Sequence, residues 1–263
     1  MREGAKVHEG FPLCTFAPSR LCGEKLMSNS FFKFKQFTIS QAQASMKVTT
    51  DSCLFGAWVS KNLSNKTETL LDIGAGTALL SLMIAQENNC SIDAVEIEPA
   101  AAAEAKENVE ASSWKERISV LEADITSLPL KKYNCIVSNP PFYENDLKAP
   151  SHEKNIAHHS QELTLDELVK IIRAHLNEPG EFFLLLPYRR RAEVLGLMEN
   201  AGLFAWELVQ VSHSAKHAPT RLMIMGGLVK RSMMESNFFI NDSTGKYSPD
   251  FMDLLKDYYL YIF

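Results

Sequence analysis

Cysteine is scarce in this chain. There are five in 263 residues (Cys14, Cys22, Cys53, Cys90 and Cys135), an odd number with no C-x-x-C pair. That pattern offers neither zinc-ligand spacing nor a disulfide framework, so a reducing cytoplasm is the expected compartment and no metal is expected. No apolar run approaches the roughly 18 residues of a membrane span. The N-terminus also lacks the apolar stretch of a signal peptide. Positive charge is not in excess either: the formal net charge is −5, so a nucleic-acid partner would need a local basic footprint. No repeat or linker interrupts the chain. What is present, 46% hydrophobic and 22% charged residues, excludes global disorder. The length suffices for one large α/β domain with a substantial core.

Residues 1–26 mix Gly, Pro, Cys and charge without periodicity and are expected to be a poorly ordered extension. Phe31 to Phe37 (FFKFKQF) alternates imperfectly and suits one short strand with a single buried face. Gln41 to Ser60 reads as a loop leading into a helix, the whole of 27–66 forming an N-terminal cap segment. An α/β rhythm then fills a core over 67–231. Strands are expected at Glu68–Ile73, Ser91–Ile97, Ile118–Ala123, Tyr133–Ser138 and Glu181–Leu186. Helices are expected at Ala78–Gln86, from Pro99 to about Ala111, from Thr164 to about Leu176, and at Arg189–Asn200 closed by Gly202. Tyr143–Gln161 is a long polar loop that suits a lid or binding loop. Trp206–His213 and Arg221–Lys230 suit antiparallel strands, and a strand and helix end the chain over 232–263, the helix opening at Ser248-Pro249. Five strand-helix alternations predict one doubly wound domain.

Gly74-Ala-Gly76 between a strand and a helix fits a nucleotide-binding crossover, although Leu79 stands where a third glycine would complete the G-x-G-x-x-G pattern. Glu96 ends the next strand 20 residues after Gly76, where a carboxylate can accept from ribose hydroxyls. Asp124 follows the third strand, within reach of an adenine edge. Asp72 separates the cofactor options. A carboxylate there is unfavourable beside a pyrophosphate, which needs N–H groups and positive dipole. It is favourable near the ammonium of a methionine moiety. S-adenosylmethionine is therefore preferred over NAD. Taken singly, Asp72 and Glu96 could equally be ordinary strand-end acids.

About 65 residues after Gly74 comes Asn139-Pro140-Pro141-Phe142. Two prolines remove two ladder donors and fix two φ angles, so the chain must leave a central strand there. What remains is a rigid turn carrying an amide and a ring. Such a turn can hold a flat conjugated amine. The Asn139 side-chain oxygen and the Pro140 carbonyl accept both N–H protons, which localises the lone pair. Phe142 stacks on the base, worth about 1–3 kcal/mol. Alignment of nitrogen, carbon and sulfur then carries most of the acceleration, and no general base is required.

These residues resemble the amino-methyltransferases with an N/D-P-P-Y/F/W tetrad. The segments FKFKQFTISQAQASMKVTTDSCLFGAWV, LLDIGAGTALLSLMIAQ, AVEIEP, IVSNPPFYENDLK and YSPDFMDLLKDYYL together resemble the bacterial tRNA1(Val) adenine-37 N6-methyltransferase family, over nearly nine-tenths of the chain. The resemblance implies a Rossmann-like class I methyltransferase with a seven-stranded, mostly parallel sheet whose last strand is reversed. It implies methylation of the adenine just 3′ of the anticodon of a valine tRNA. It also implies that Lys47, Thr50 and Asp51 help close a cofactor pocket, and that Asp72, Gly74, Gly76, Glu96, Asp124 and Asn139 line it. Asn139, Pro140 and Phe142 would hold the base, and Phe142 stands where many relatives carry tyrosine.

Pro141, Tyr143, Arg189, Arg190, Lys216 and Arg221 are candidates for RNA contact, with Lys33, Lys35, Lys47, Arg191 and the histidines His152, His158, His159, His213 and His217 as weaker ones. An exposed run of charge is more often a solvated face than an RNA contact. His213 and His217 have i, i+4 spacing without a third ligand, which argues against zinc. The target base must leave its stack, which is easiest in a single-stranded loop. Three other readings stay open: a methyltransferase for ribosomal RNA or DNA bases, one for a release-factor glutamine, and a non-catalytic RNA-binding module. The second normally carries an additional N-terminal helical domain, which the short segment before Glu68 does not supply. A monomer is favoured.

Overall fold

The computed structural model describes residues 30–43, 47–129, 131–140 and 163–261. At its centre lies an eight-stranded sheet. In chain order its strands are β3 (Thr69–Ile73), β4 (Ser91–Glu96), β5 (Ile118–Glu122), β6 (Tyr133–Ser138), β7 (Leu176–Pro187), β8 (Phe204–Ser212), β9 (Arg221–Gly227) and β10 (Met234–Phe239). The order across the sheet is β5-β4-β3-β6-β7-β9-β8-β10. Neighbours are parallel except at β9, which runs antiparallel to both β7 and β8.

The first seven of these strands reproduce the expected arrangement, with the reversed strand lying between β7 and β8. The sheet differs from seven strands by the edge strand β10. Its sequence, MESNFF, has no inward-facing apolar alternation and is almost wholly exposed, so its place is set by pairing with β8 rather than by burial. β7 begins five residues earlier than expected, because Leu176 already pairs with Tyr133 before a register shift brings Glu181 opposite Cys135.

Adjacent residues of the central strands feed opposite cores. Leu70, Cys135, Val137, Phe183 and Leu185 join one cluster, while Leu71, Ile136, Phe182, Leu184 and Leu186 join the other. This follows from the two-residue period of a strand buried on both faces. Helices α1 (Thr50–Asn62), α2 (Leu79–Glu87) and α3 (Pro99–Glu110) pack into the first cluster. Helices α4 (Leu165–His175) and α5 (Arg191–Ala201) pack into the second.

The FFKFKQF segment is not the single strand its alternation suggests. β1 (Phe31–Lys33) turns back into β2 (Thr38–Ser40), pairing Phe31 with Ser40 and Phe32 with Ile39. The turn folds Phe34 and Phe37 onto each other at 4.5 Å between ring centroids, and both are buried. Phe34 also bridges to Tyr259, just after α6 (Pro249–Leu255), so the two ends of the described chain close against each other. Ser248 caps α6 by accepting from the Phe251 amide, and Phe251 and Leu255 are fully buried. Among the described residues no helix is long and apolar enough to cross a membrane.

Candidate active site

The order in which strands are added reverses about the parallel β3–β6 pair. From β3 the chain moves outward to β4 and β5, then returns to β6 and continues the other way. Crevices at such switch points, beyond the carboxyl ends of the strands, are where open α/β sheets bind ligands. Both sequence motifs converge here. Ile73 lies opposite Ser138, and the Ser138 hydroxyl donates to the Ile73 carbonyl at 2.8 Å. The residues that follow, Gly74 and Asn139, therefore leave the sheet side by side. Ser138, which joins the motifs, drew no notice in the sequence because a serine at a strand end is common.

Gly74 and Gly76 adopt φ values of +72° and +56°, a region costly for side chains with a Cβ. No atom lies within 4 Å of a Cβ built at either position, so open space faces both. The third such residue is Ala78, at φ +62°, the residue preceding α2. The turn thus makes its final bend with an alanine, one residue before the Leu79 slot of the glycine pattern. Gly74 and Ala75 donate their amides to the Val95 carbonyl at 2.9 and 3.0 Å. Glu96 ties the glycine turn to the residues that follow β4: Oε2 accepts from the Gly76 amide at 2.8 Å and Oε1 from the Glu98 amide at 2.9 Å.

Asp72 is wholly buried beneath the turn. Its Oδ2 accepts from the Ser81 hydroxyl at 2.7 Å, while Oδ1 has no hydrogen-bond partner. Burial, reinforced by the nearby Glu96 charge, pushes its pKa up to about 6 against the lowering effect of Ser81. An orphaned buried acceptor is expensive unless a ligand or water satisfies it. Asp124 lies exposed just past β5, its Oδ1 accepting from the amide and hydroxyl of Thr126 at 2.9 and 2.7 Å. A negative, donor-poor cradle of this kind fits a cationic nucleoside rather than a pyrophosphate, which would want donors. Asn139 is half-buried and Pro140 buried. Pro141, Phe142 and Tyr143 lie outside the described residues, as do His152, His158 and His159 and the rest of the polar loop.

Lys47 and Asp51 are held by different partners. The Lys47 ammonium donates to the Gln41 carbonyl and, at 3.5 Å, to that of Ala42. Thr50 is exposed in the first turn of α1, after a capping box made by Thr49 and Ser52. Asp51 pairs with Arg221 at 3.1 Å. Arg221 lies opposite Pro187 at the edge where β7 ends, so Asp51 reaches the side of the crevice away from Glu96.

The basic candidates share this second side. Arg189 follows β7 and is exposed, and Lys216 is exposed in the turn between β8 and β9. Arg190 is bound to Glu193 by two contacts, at 2.8 and 2.6 Å, and Arg191 to Glu235 at 3.0 Å. The arginine cluster does not open the helix as expected: Tyr188–Arg190 is a 3-10 turn, and α5 starts at Arg191. Glu193 and Glu235 offset the unfavourable charge of Arg190 and Arg191 at the start of α5. His213 and His217 face each other edge-on at 5.2 Å, with Ser214 bonded to the His217 ring at 2.9 Å. Lys33 and Lys35 belong to the N-terminal hairpin, where the Lys35 amide donates to the Tyr258 carbonyl.

Comparison with known proteins places this site in context. The profile of the family described as "Methyltransferase small domain" matches residues 54–200. A tRNA1(Val) (adenine(37)-N6)-methyltransferase of Dyadobacter fermentans is 37% identical over 238 residues, spanning 88% of this chain and 98% of that protein. One from Cytophaga hutchinsonii is 36% identical and spans 89% and 99%. Among solved structures, a "predicted O-methyltransferase" of Agrobacterium tumefaciens superposes with a TM-score of 0.62 at 16% identity, over 80% of this chain and 98% of that one. The ribosomal protein L11 methylase of Lactobacillus delbrueckii subsp. bulgaricus gives 0.51 at 16% identity, over 72% and 83%. At these identities the structural likeness carries the fold alone.

Proposed function

Since the chain belongs to the tRNA1(Val) (adenine(37)-N6)-methyltransferase family, we propose that it methylates the exocyclic N6 amine of adenine-37 in a valine tRNA, with S-adenosylmethionine as donor. The observation that carries this reading is the Ser138–Ile73 bond, which seats Asn139 beside the glycine turn at the switch point. Glu96 would hold the ribose, Asp72 the ammonium end and Asp124 the adenine edge of the cofactor. When bound, the cofactor supplies an electrophilic methyl group on a sulfonium.

The protein's own part is positioning. Adenine N6 is a weak nucleophile because its lone pair is delocalised into the ring. The Asn139 side-chain oxygen and the Pro140 carbonyl would accept hydrogen bonds from its two N–H groups and favour a more pyramidal nitrogen. Holding that nitrogen in line would lower the barrier without prior deprotonation: the N–C bond would form as the methyl–sulfur bond breaks, its electron pair staying on sulfur, and one N–H proton would then pass to solvent. Stacking of the flipped base is assigned to Phe142. Backbone phosphates of the anticodon stem-loop are assigned to the side bearing Arg189, Arg190, Lys216 and Arg221.

The test is methyl transfer from radiolabelled S-adenosylmethionine to unmodified tRNA, ribosomal RNA and a release factor in parallel, followed by nucleoside analysis. The expected product is N6-methyladenine in valine tRNA. Label confined to ribosomal RNA or protein would overturn the substrate while keeping the chemistry.

A further inference from the structure

Helix α3 buries an unusual pair. Its inward stripe carries Ala101, Ala102, Ala105 and Val109, all apolar, yet Glu104 and Asn108 on the same side are each only 4% exposed. A buried carboxylate and amide are costly unless their hydrogen-bonding capacity is met. Here it is met by two segments remote in sequence.

Glu104 Oε1 accepts from the amides of Ala42 at 2.5 Å and Gln43 at 3.2 Å, and from the Ser40 hydroxyl at 3.3 Å. One turn later, Asn108 grips both backbone groups of Ser40: Oδ1 accepts from its amide at 2.8 Å, and Nδ2 donates to its carbonyl at 2.9 Å. The same Nδ2 donates to the Thr77 carbonyl at 3.1 Å. Thr77 lies between Gly76 and Ala78, inside the cofactor turn.

A single amide therefore ties the N-terminal segment to the strained turn. That segment also closes on itself, since Gln41 Oε1 accepts from the Val48 amide at 2.7 Å and the Gln41 carbonyl from Lys47. It then enters α1, where Asp51 pairs with Arg221 on the far side of the crevice. Glu104 and Asn108 hold one end of this bridge and the Asp51–Arg221 pair holds the other.

We propose that Glu104 and Asn108 are positioning residues that set cofactor affinity by fixing the N-terminal segment against the glycine turn, without touching the cofactor themselves. The proposal rests on the methyltransferase reading above. Full-length Glu104→Gln and Asn108→Ala are compared with wild type and with Val109→Ala, a buried apolar control on the same helix. Each is measured for S-adenosylmethionine affinity by calorimetry, for KM of each substrate, for kcat and for Tm. Both polar variants are expected to raise Kd and KM for S-adenosylmethionine by about tenfold or more, one or two charge-assisted or buried hydrogen bonds being lost. Saturating cofactor restores kcat, and KM for tRNA moves less than about twofold by the same reasoning. Val109→Ala lowers Tm and leaves both constants unchanged. If one polar variant does not fold, the other carries the test.

Unchanged S-adenosylmethionine constants in the folded polar variants, beside a normal wild type, would overturn this proposal alone. So would an equal rise in Val109→Ala at matched loss of Tm. A wild type that neither binds S-adenosylmethionine nor methylates would overturn the methyltransferase reading and this proposal with it.

Discussion

The two halves of the sheet's carboxyl edge have opposite character. From β5 to β3 the edge carries Asp124 and Glu96, with Asp72 buried beneath the glycine turn. From β7 to β8 it presents Arg189, Arg221 and the turn with His213, Lys216 and His217. Asn139 stands where they meet. Net charge over the whole chain conceals this division, because the acids and bases nearly cancel. The lesson is that a switch point separates two ligands as well as creating a crevice: a cationic nucleoside suits one half and a polyanion the other.

The most damaging variant should be Asn139→Ala, at the seam. Loss of one positioned acceptor is expected to lower kcat by about a hundredfold or more, while cofactor affinity stays close to wild type. Single-turnover methyl transfer beside calorimetry separates these effects, and normal turnover would remove Asn139 from its role. Glu96→Ala should act on the acidic half alone. It leaves two backbone amides without their acceptor, so cofactor affinity should fall roughly ten- to a hundredfold, with tRNA affinity unaltered. An unchanged cofactor Kd would contradict the ribose assignment.

Asp72 gives the acidic half a pH signature. Its pKa in the folded chain, about 6, lies above the usual carboxyl value. The folded state therefore binds the extra proton between about pH 4 and 6. Its contribution to stability is greatest below that window and declines as pH rises through it, by on the order of 3 kcal/mol. Thermal denaturation of the free protein should show this slope, and Asp72→Asn should flatten it. A cation held near Asp72 favours the carboxylate, so cofactor binding should tighten as pH rises through 6. Weakening over that range would place the ammonium elsewhere. The smallest effect belongs to the basic half. Lys216→Ala should raise KM for tRNA only about two- to fivefold, because a single phosphate contact is a minor share of an electrostatic footprint. It should leave S-adenosylmethionine binding untouched, and a cofactor defect would break the division.

The acidic half was the more legible in sequence. Strand alternation, the Gly74 and Gly76 pair and the spacing to Glu96 are local signals, and the structure seats each at the crevice. The connection between the motifs was not legible, because Ser138 meets Ile73 only through parallel pairing across a crossover. The hairpin of β1 and β2 escaped because its turn interrupts one continuous aromatic run. β10 pairs with β8 across the whole β9 excursion and carries no apolar period of its own. Glu104 and Asn108 sit in the alanine-rich stretch PAAAAEAKENVE, where polar residues look like a solvated face. The available signal was their i, i+4 spacing on the stripe of Ala101 and Ala105. The basic half was visible mainly as composition: the Arg190–Glu193 pair is a local i, i+3 signal, but the pairing of Arg221 with Asp51 and of Arg191 with Glu235 depends on acids remote in sequence.

The most direct test of the account is methyl transfer to two valine tRNA transcripts, one with adenine at position 37 and one with guanine there, under single-turnover conditions. The account predicts one methyl group per molecule on the adenine transcript, recovered as N6-methyladenine, and none on the other. Equal labelling of both transcripts would contradict it.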